Sequence, residues 1–398
     1  MISEKMKGYV KNSSVIRAMF EEGKKMAAIH GADHVYDFSL GNPNVPAPGA
    51  VKDAIIDIVT NEDPVLVHGY MSNSGFEDVR TKIAEHLNAQ YGTSYTSDNL
   101  VMIVGAAGGM NVFFKTLLNA GDEVVTFSPY FGEYRAYVSN FDGKLVEVQT
   151  DPVTFEPDPK ALAAAVTPKT KAVILNSPNN PTGVVYSEEC IREIARLLEE
   201  KQKEYGTTIF IFSDEPYREI VYGEYKVPWI PNCYRNTVVG YSYSKSLSLP
   251  GERIGYLVLP SEIDDADDMI SAANVANRIL GFVNAPSLQQ RVVARCLNEK
   301  TDVDFYAENR QMLMDGLREA GYTFVEPQGA FYLWLKSPEE DEKAFVAKCK
   351  EKQILIVPGS SFGCAGWTRV AYCVSHETVR NSLPGFREVA ASYGLCKM

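Results

Sequence analysis

The chemistry-bearing stretch of this chain is Tyr241-Ser-Tyr-Ser-Lys245-Ser-Leu-Ser-Leu-Pro-Gly-Glu-Arg253-Ile-Gly255. One lysine sits among hydroxyl side chains, and an arginine follows eight residues later beside a glycine. A lysine in polar company is ordinarily a solvated charge. Here Val238, Val239, Leu257, Val258 and Leu259 read as buried strands on both sides. Burial disfavours an ammonium, so Lys245 is expected to lose its proton readily and act as an amine nucleophile toward an aldehyde. Ser242, Ser244 and Arg253 offer hydroxyl and guanidinium donors to a phosphate. An aldehyde and a phosphate on one small molecule describe pyridoxal phosphate.

Other candidate positions recur along the chain. The strand-like run Asn99–Val104 enters Gly105-Ala106-Ala107-Gly108-Gly109, ahead of a helix expected over Met110–Leu118. Strand, small-residue turn and helix start together make an anion site, or else serve close helix–sheet packing. Asp122–Phe127 is a strand that runs toward Ser128-Pro-Tyr-Phe131-Gly-Glu-Tyr134, whose aromatics suit either core packing or stacking on a flat ring. Thr170–Leu175 is a strand leading into Asn176-Ser-Pro-Asn-Asn180-Pro-Thr-Gly183, good turn chemistry in itself. Thr208–Phe212 is a strand ending in Ser213-Asp214-Glu-Pro-Tyr217, where a carboxylate at a buried strand tip is a cap or the partner of a buried cation. Gly41 before Asn42-Pro43 marks a tight backbone position, a plain turn or an approach to a ligand.

The elements that must position these residues alternate strand and helix from about residue 95 to 245. That pattern predicts a mostly parallel sheet with helices on both faces. Ligands of such sheets bind beyond the strands' carboxyl ends. Gly105, Phe131, Asn180, Asp214 and Lys245 all fall at such ends. Upstream, a helix is expected through Ser14–Met26, another over Ala50–Thr60 and another over Phe76–Gln90, with turn chemistry around Val67–Gly75. Downstream, Ile263–Leu280 reads as helix, and Ala285–Ala320 as one long helix or a pair. A smaller α+β unit follows, with strands at Gln328–Leu335, Ile354–Val357 and Thr368–Val374 and a closing helix from His376.

Composition narrows the function classes. The chain has 398 residues, is 45% hydrophobic and carries a net charge of −12, which argues against a nucleic-acid footprint. Seven scattered cysteines without a C-x-x-C pair fit reduced thiols, and five histidines show no metal-ligand grouping. The N-terminus lacks the apolar core of a signal peptide, and no apolar run is long enough to span a bilayer. A cytoplasmic enzyme without a metal is the expectation.

Asn180-Pro-Thr-Gly183, Asp214-x-x-Tyr217, Ser242-x-Ser244-Lys245 with Arg253, and Arg369, in this order and spacing, resemble the class I/II aminotransferases of pyridoxal-phosphate fold type I. The resemblance covers nearly the whole chain. It implies a large α/β domain over residues 45–285 with a seven-stranded, mostly parallel sheet, and a small α+β domain from 1–44 and 286–398. It implies that Lys245 forms the Schiff base and shuttles the proton, and that Asp214 pairs with the pyridine nitrogen. Tyr217 and Asn180 would bond the ring's phenolic oxygen. Arg253, Ser242, Ser244 and the Gly105-Ala106-Ala107 backbone would hold the phosphate, with Phe131 on the ring. Tyr70 would reach a phosphate across a homodimer interface. Arg369, helped by Gly41, would take the substrate α-carboxylate. Arg278, 33 residues after Lys245, resembles the arginine that binds the distal carboxylate of aspartate from a neighbouring subunit. The reaction implied is transamination of an amino acid with a 2-keto acid, aspartate and 2-oxoglutarate foremost. A C–S β-lyase, or an aminotransferase for alanine, aromatic or other neutral amino acids, would keep the same cofactor residues.

Overall fold

The computed structural model describes residues 1–11 and 15–397. A seven-stranded sheet runs in the order Leu100–Ile103, Gly255–Val258, Thr237–Ser242, Phe210–Asp214, Thr170–Asn176, Glu123–Ser128, Lys144–Gln149. Only Gly255–Val258 is antiparallel to its neighbours; the other pairings are parallel. The inner strands are covered on both faces and therefore read as continuous apolar runs. The edge strand Lys144–Gln149 is more exposed and carries Lys144 and Glu147 outward.

The helices cover this sheet for local reasons. Glu188–Tyr205 turns Ile191, Ile194, Ala195, Leu197 and Leu198 inward. The Ser187 side chain caps it by accepting from the Cys190 N–H, and left-handed Gly206 ends it. Side-chain alternation decides what each strand tip presents. In Phe210–Asp214, Phe210 and Phe212 pack with Phe113, Phe114 and Tyr134, whereas Ile211 joins the opposite layer. Period two places Asp214 on the Phe212 side, where Tyr134 awaits it.

A four-stranded antiparallel sheet, in the order Val357–Pro358, Trp367–Ala371, Tyr332–Lys336, Phe324–Val325, forms with its helices an apolar cluster that also takes in Tyr217, Ile220 and Tyr222, while Trp334 and Val357 pack toward the large sheet's layer. Tyr36–Asp37 pairs in parallel with Ile354–Leu355. The Ala371 N–H then donates to the Phe38 carbonyl at 2.9 Å. These bonds fasten the N-terminal segment to the later unit and carry Gly41 to the tips of the large sheet.

Several element boundaries differ from the sequence expectation. The helix expected from Met110 begins at Gly105 and runs to Leu117, so the small residues are its first turn and not a preceding loop. Ala285–Ala320 divides into Ser287–Val293 and Val303–Glu319. The strand expected from Gln328 starts at Tyr332. The N–H groups of Gln328 and Gly329 are taken by the Gly183 carbonyl, both at 2.8 Å. His376–Ser392, Gly49–Asn61, Glu77–Tyr91 and Ala266–Ile279 are helices as expected, within a few residues. A short helix, Pro64–His68, occupies the start of the turn-rich stretch. The first helical expectation is met over Val15–His30, with Ser14 outside the described residues.

Candidate active site

Beyond the carboxyl ends of the sheet lies a cavity of about 290 Å³. Lys245, Asp214, Tyr217, Asn180, Arg253 and Arg369 all line it, as do Gly41, Ala106, Ala107, Phe131, Ser242 and Ser244. Residues separated by more than 300 positions thus converge on one volume.

Lys245 sits in a one-turn helix, Tyr243–Ser246, started by the Ser242 side chain. Its Nζ donates to the Gly41 carbonyl at 2.6 Å and lies 5.4 Å from the centroid of the Phe331 ring. Burial, together with the like charges of Arg369 and Arg253, holds the ammonium down at about 8, against an opposing pull from Cys373. The neutral amine is therefore reached at a lower pH than in an exposed lysine. No carboxylate pairs with Lys245 among the described residues.

Asp214 is 7% exposed and accepts a 2.5 Å hydrogen bond from the Tyr134 hydroxyl. Burial raises its carboxyl to about 7, against the lowering effect of the Tyr134 bond; nearby Glu215 adds to the rise. Its backbone carbonyl accepts from Asn176 Nδ2 at 2.8 Å, and Asn176 Oδ1 accepts the Asn180 N–H at 2.8 Å. Neighbouring strand tips therefore lock one another.

Arg369 is 2% exposed. Its guanidinium donates to Asn180 Oδ1 at 3.0 Å and to the Ser39 carbonyl at 2.6 Å. The group lies 4.6 Å over the Tyr332 ring and 4.9 Å over Phe362. Its Nε finds no partner, and no carboxylate pairs with it among the described residues. Burial lowers its proton affinity, partly offset by Tyr332, Tyr217 and Cys373. A buried guanidinium without a counter-charge is a costly arrangement that an incoming carboxylate relieves.

The Gly105 end of the cavity suits a phosphate. Gly105 has φ +76°, and a Cβ there would lie 2.6 Å from Arg253 Nη2. The absent side chain lets the guanidinium reach the first turn of a 13-residue helix, whose N–H groups face outward. Arg253 donates to the Pro250 carbonyl at 2.9 Å and the Val104 carbonyl at 3.3 Å. Ser242 and Ser244 share a 2.7 Å hydrogen bond beside it. Gly105→Ala is expected to weaken binding of a phosphate-bearing ligand at this end at least about tenfold, because left-handed backbone strain adds to the clash; titration of the variant with inorganic phosphate checks it.

Two sequence-predicted residues lie elsewhere. Tyr70 is 93% exposed, and Arg278 is exposed near the end of Ala266–Ile279; neither lines the cavity of its own chain. Three cavity-lining residues are not singled out by the sequence as site positions: Tyr134, Asn176 and Tyr332. Tyr134 stands in the aromatic stretch already singled out, but only the strand register shows that its hydroxyl meets Asp214. Tyr332 looks like an ordinary strand residue until its hydroxyl is placed beneath Gly41.

This geometry, with the fold that carries it, defines a fold type I aminotransferase. The family described as aminotransferase class I and II matches residues 33–384, and the chain belongs to it; it is a transaminase. An aminotransferase of Eubacterium rectale is 47% identical, with a TM-score of 0.96 over 99% of each chain. The aspartate/prephenate aminotransferase of Thermus thermophilus is 31% identical over 88% of this chain and 90% of its own. The aspartate aminotransferase from Thermus thermophilus solved with maleate is 27% identical, with a TM-score of 0.84 over 95% of this chain and 97% of its own.

Proposed function

We propose that this transaminase uses pyridoxal phosphate, bound through Lys245, to move an amino group from an L-amino acid to a 2-keto acid, with aspartate and 2-oxoglutarate as the pair. The observation that carries the reading is the convergence of Lys245, Asp214, Tyr217, Asn180, Arg253 and Arg369 on one cavity. The residues fit the cofactor: a buried acid at the floor, hydroxyl and guanidinium donors at a glycine-opened helix start, and a partly neutral amine between them.

When bound, pyridoxal phosphate supplies an electrophilic aldehyde carbon and an electron-withdrawing ring. Every further task falls to the chain. Arg253, Ser242, Ser244 and the N–H groups of Ala106 and Ala107 would hold the cofactor's phosphate, and Phe131 would face its ring. Asp214, held by Tyr134, would pair with the ring nitrogen. Tyr217 and Asn180 would donate to the ring oxygen. Arg369 and the Gly41 backbone would orient the substrate carboxylate. Lys245, as a neutral amine, would take up and give back the proton of the substrate's α-carbon.

The active unit proposed is a cytoplasmic homodimer with shared sites. Tyr70 and Arg278 sit on elements tied together by Asn277 Nδ2 donating to the Asn73 carbonyl at 3.1 Å and by Ser74 Oγ donating to Asn274 Oδ1 at 2.7 Å. Around them Val65 is 74%, Leu66 63% and Ile279 57% exposed. Such apolar exposure beside two predicted cross-subunit residues supports a partner surface. The division into 45–285 and 1–44 with 286–398 is proposed with it, supported by the later unit's four-stranded sheet, which shares no strand with the seven-stranded one.

Aspartate is favoured by the names of the Thermus thermophilus relatives. Arg278→Ala is then expected to reduce kcat/KM for aspartate by about 10²-fold while changing that for alanine less than about threefold. An amino-donor and keto-acceptor panel on both proteins checks this, and equal losses reject the role. The same panel tests the activity itself: keto-acid-dependent transfer supports it, whereas pyruvate release from cystathionine without an acceptor would point to a β-lyase.

A further inference from the structure

We propose that Tyr332 is a positioning residue that links the substrate-carboxylate arginine to the hydroxyl that tunes the cofactor. Three contacts meet on this one side chain. Its hydroxyl lies 2.7 Å from the Tyr217 hydroxyl. Its ring carries the Arg369 guanidinium at 4.6 Å. Its oxygen fills the space beside Gly41, where a Cβ would come within 2.0 Å. Tyr332 is 2% exposed, so none of these contacts is shared with bulk water.

The arrangement has a direction. A cation over the ring makes a phenol a stronger donor. Burial raises both hydroxyls, and Arg369 opposes the rise at each. Each phenol has one proton, and the cofactor reading gives that of Tyr217 to the ring oxygen; the 2.7 Å bond between the two then runs from Tyr332 to the Tyr217 oxygen. Hydrogen bonds in such a chain strengthen one another. A carboxylate arriving at Arg369 cancels the cation, weakens Tyr332 as a donor, and so changes what Tyr217 delivers. Other titratable groups acting on the pair are Asp214 and Tyr134, toward Tyr217, and Cys373 and Tyr372, toward Tyr332. Lys245 stands over the adjoining Phe331 ring. Of these groups, none carries the Arg369 guanidinium over its ring as Tyr332 does.

The test reads the pH midpoint of the visible band of the pyridoxal phosphate-loaded protein, which reports the proton held between Lys245 and the ring oxygen. Tyr332→Phe keeps the ring under Arg369 and removes only the oxygen. It is expected to raise the midpoint by about 0.5–1 pH unit, the size of one lost neutral hydrogen bond. In a Tyr217→Phe background the same substitution should move the midpoint by less than about 0.2 unit, because the relay is already cut. Gly41→Ala, whose methyl would displace the phenol, should shift the midpoint in the same direction as Tyr332→Phe. An unchanged midpoint in Tyr332→Phe, or an equal shift with and without Tyr217, overturns the proposal. The inference rests on the cofactor reading above. A parent protein that forms no visible band defeats that reading, whereas a band indifferent to Tyr332 defeats this one alone.

Discussion

Lys245→Ala is expected to lower turnover at least about 10⁴-fold, the upper range for removal of a positioned proton-transfer group, with loss of the covalent tether besides. The fold should survive. In the parent, Lys245 is a buried amine whose proton affinity is depressed to about 8. A depressed base costs stability while the unfolded chain holds more protons, so the cost is largest below about 8 and fades as pH rises toward the ordinary lysine value. Removing it should leave the cofactor-free variant at least as stable as the parent at pH 7. Thermal unfolding of the two cofactor-free proteins, alongside steady-state rates, separates lost chemistry from lost structure. Full turnover in the variant contradicts the assignment.

Asp214→Asn is the second large effect. An amide cannot hold a proton on the ring nitrogen, and a loss of about 10²–10³-fold in kcat is expected, comparable to removing one strong preorganised electrostatic partner. The stability effect has the opposite sign. Asp214 is raised to about 7 in the cofactor-free protein, above its ordinary 3.8. Between those values the folded chain binds more protons than the unfolded one, so this group's contribution falls as pH rises through that window. The asparagine variant escapes the penalty and can still accept from Tyr134. Cofactor-free Asp214→Asn should therefore unfold at a higher temperature than the parent at pH 8, with the difference vanishing near pH 4. A parent that is the more stable protein at pH 8 refutes the buried, uncompensated carboxylate.

Most of the sheet and its tips were legible because the pattern was strong. Thr237–Val239 and Thr208–Phe212 are apolar runs bounded by turn chemistry, and buried parallel strands look like that. Lys245, Asp214 and Arg253 stand out as lining one cavity for a related reason: charged groups abutting buried strands are rare. The glycine run at 105–109 was placed in the wrong element because small residues suit a turn and a closely packed helix start equally well. Tyr134 and Tyr332 escaped as cavity-lining positions for a different reason. Their roles depend on which tyrosine hydroxyl meets which partner across 80 and 115 residues of chain. The chain contains 22 tyrosines, and no local pattern distinguishes these two. Tyr70 and Arg278 depend on a second chain, so their surroundings within one subunit say only that they are exposed.

The central claim is that the Lys245 amine captures pyridoxal phosphate. Borohydride reduction of the loaded protein followed by peptide mapping tests it most directly. A reduced pyridoxyl group on the peptide containing Lys245, at about one per chain, is the predicted result. Its appearance on a different lysine, or no reducible adduct at all, contradicts the account.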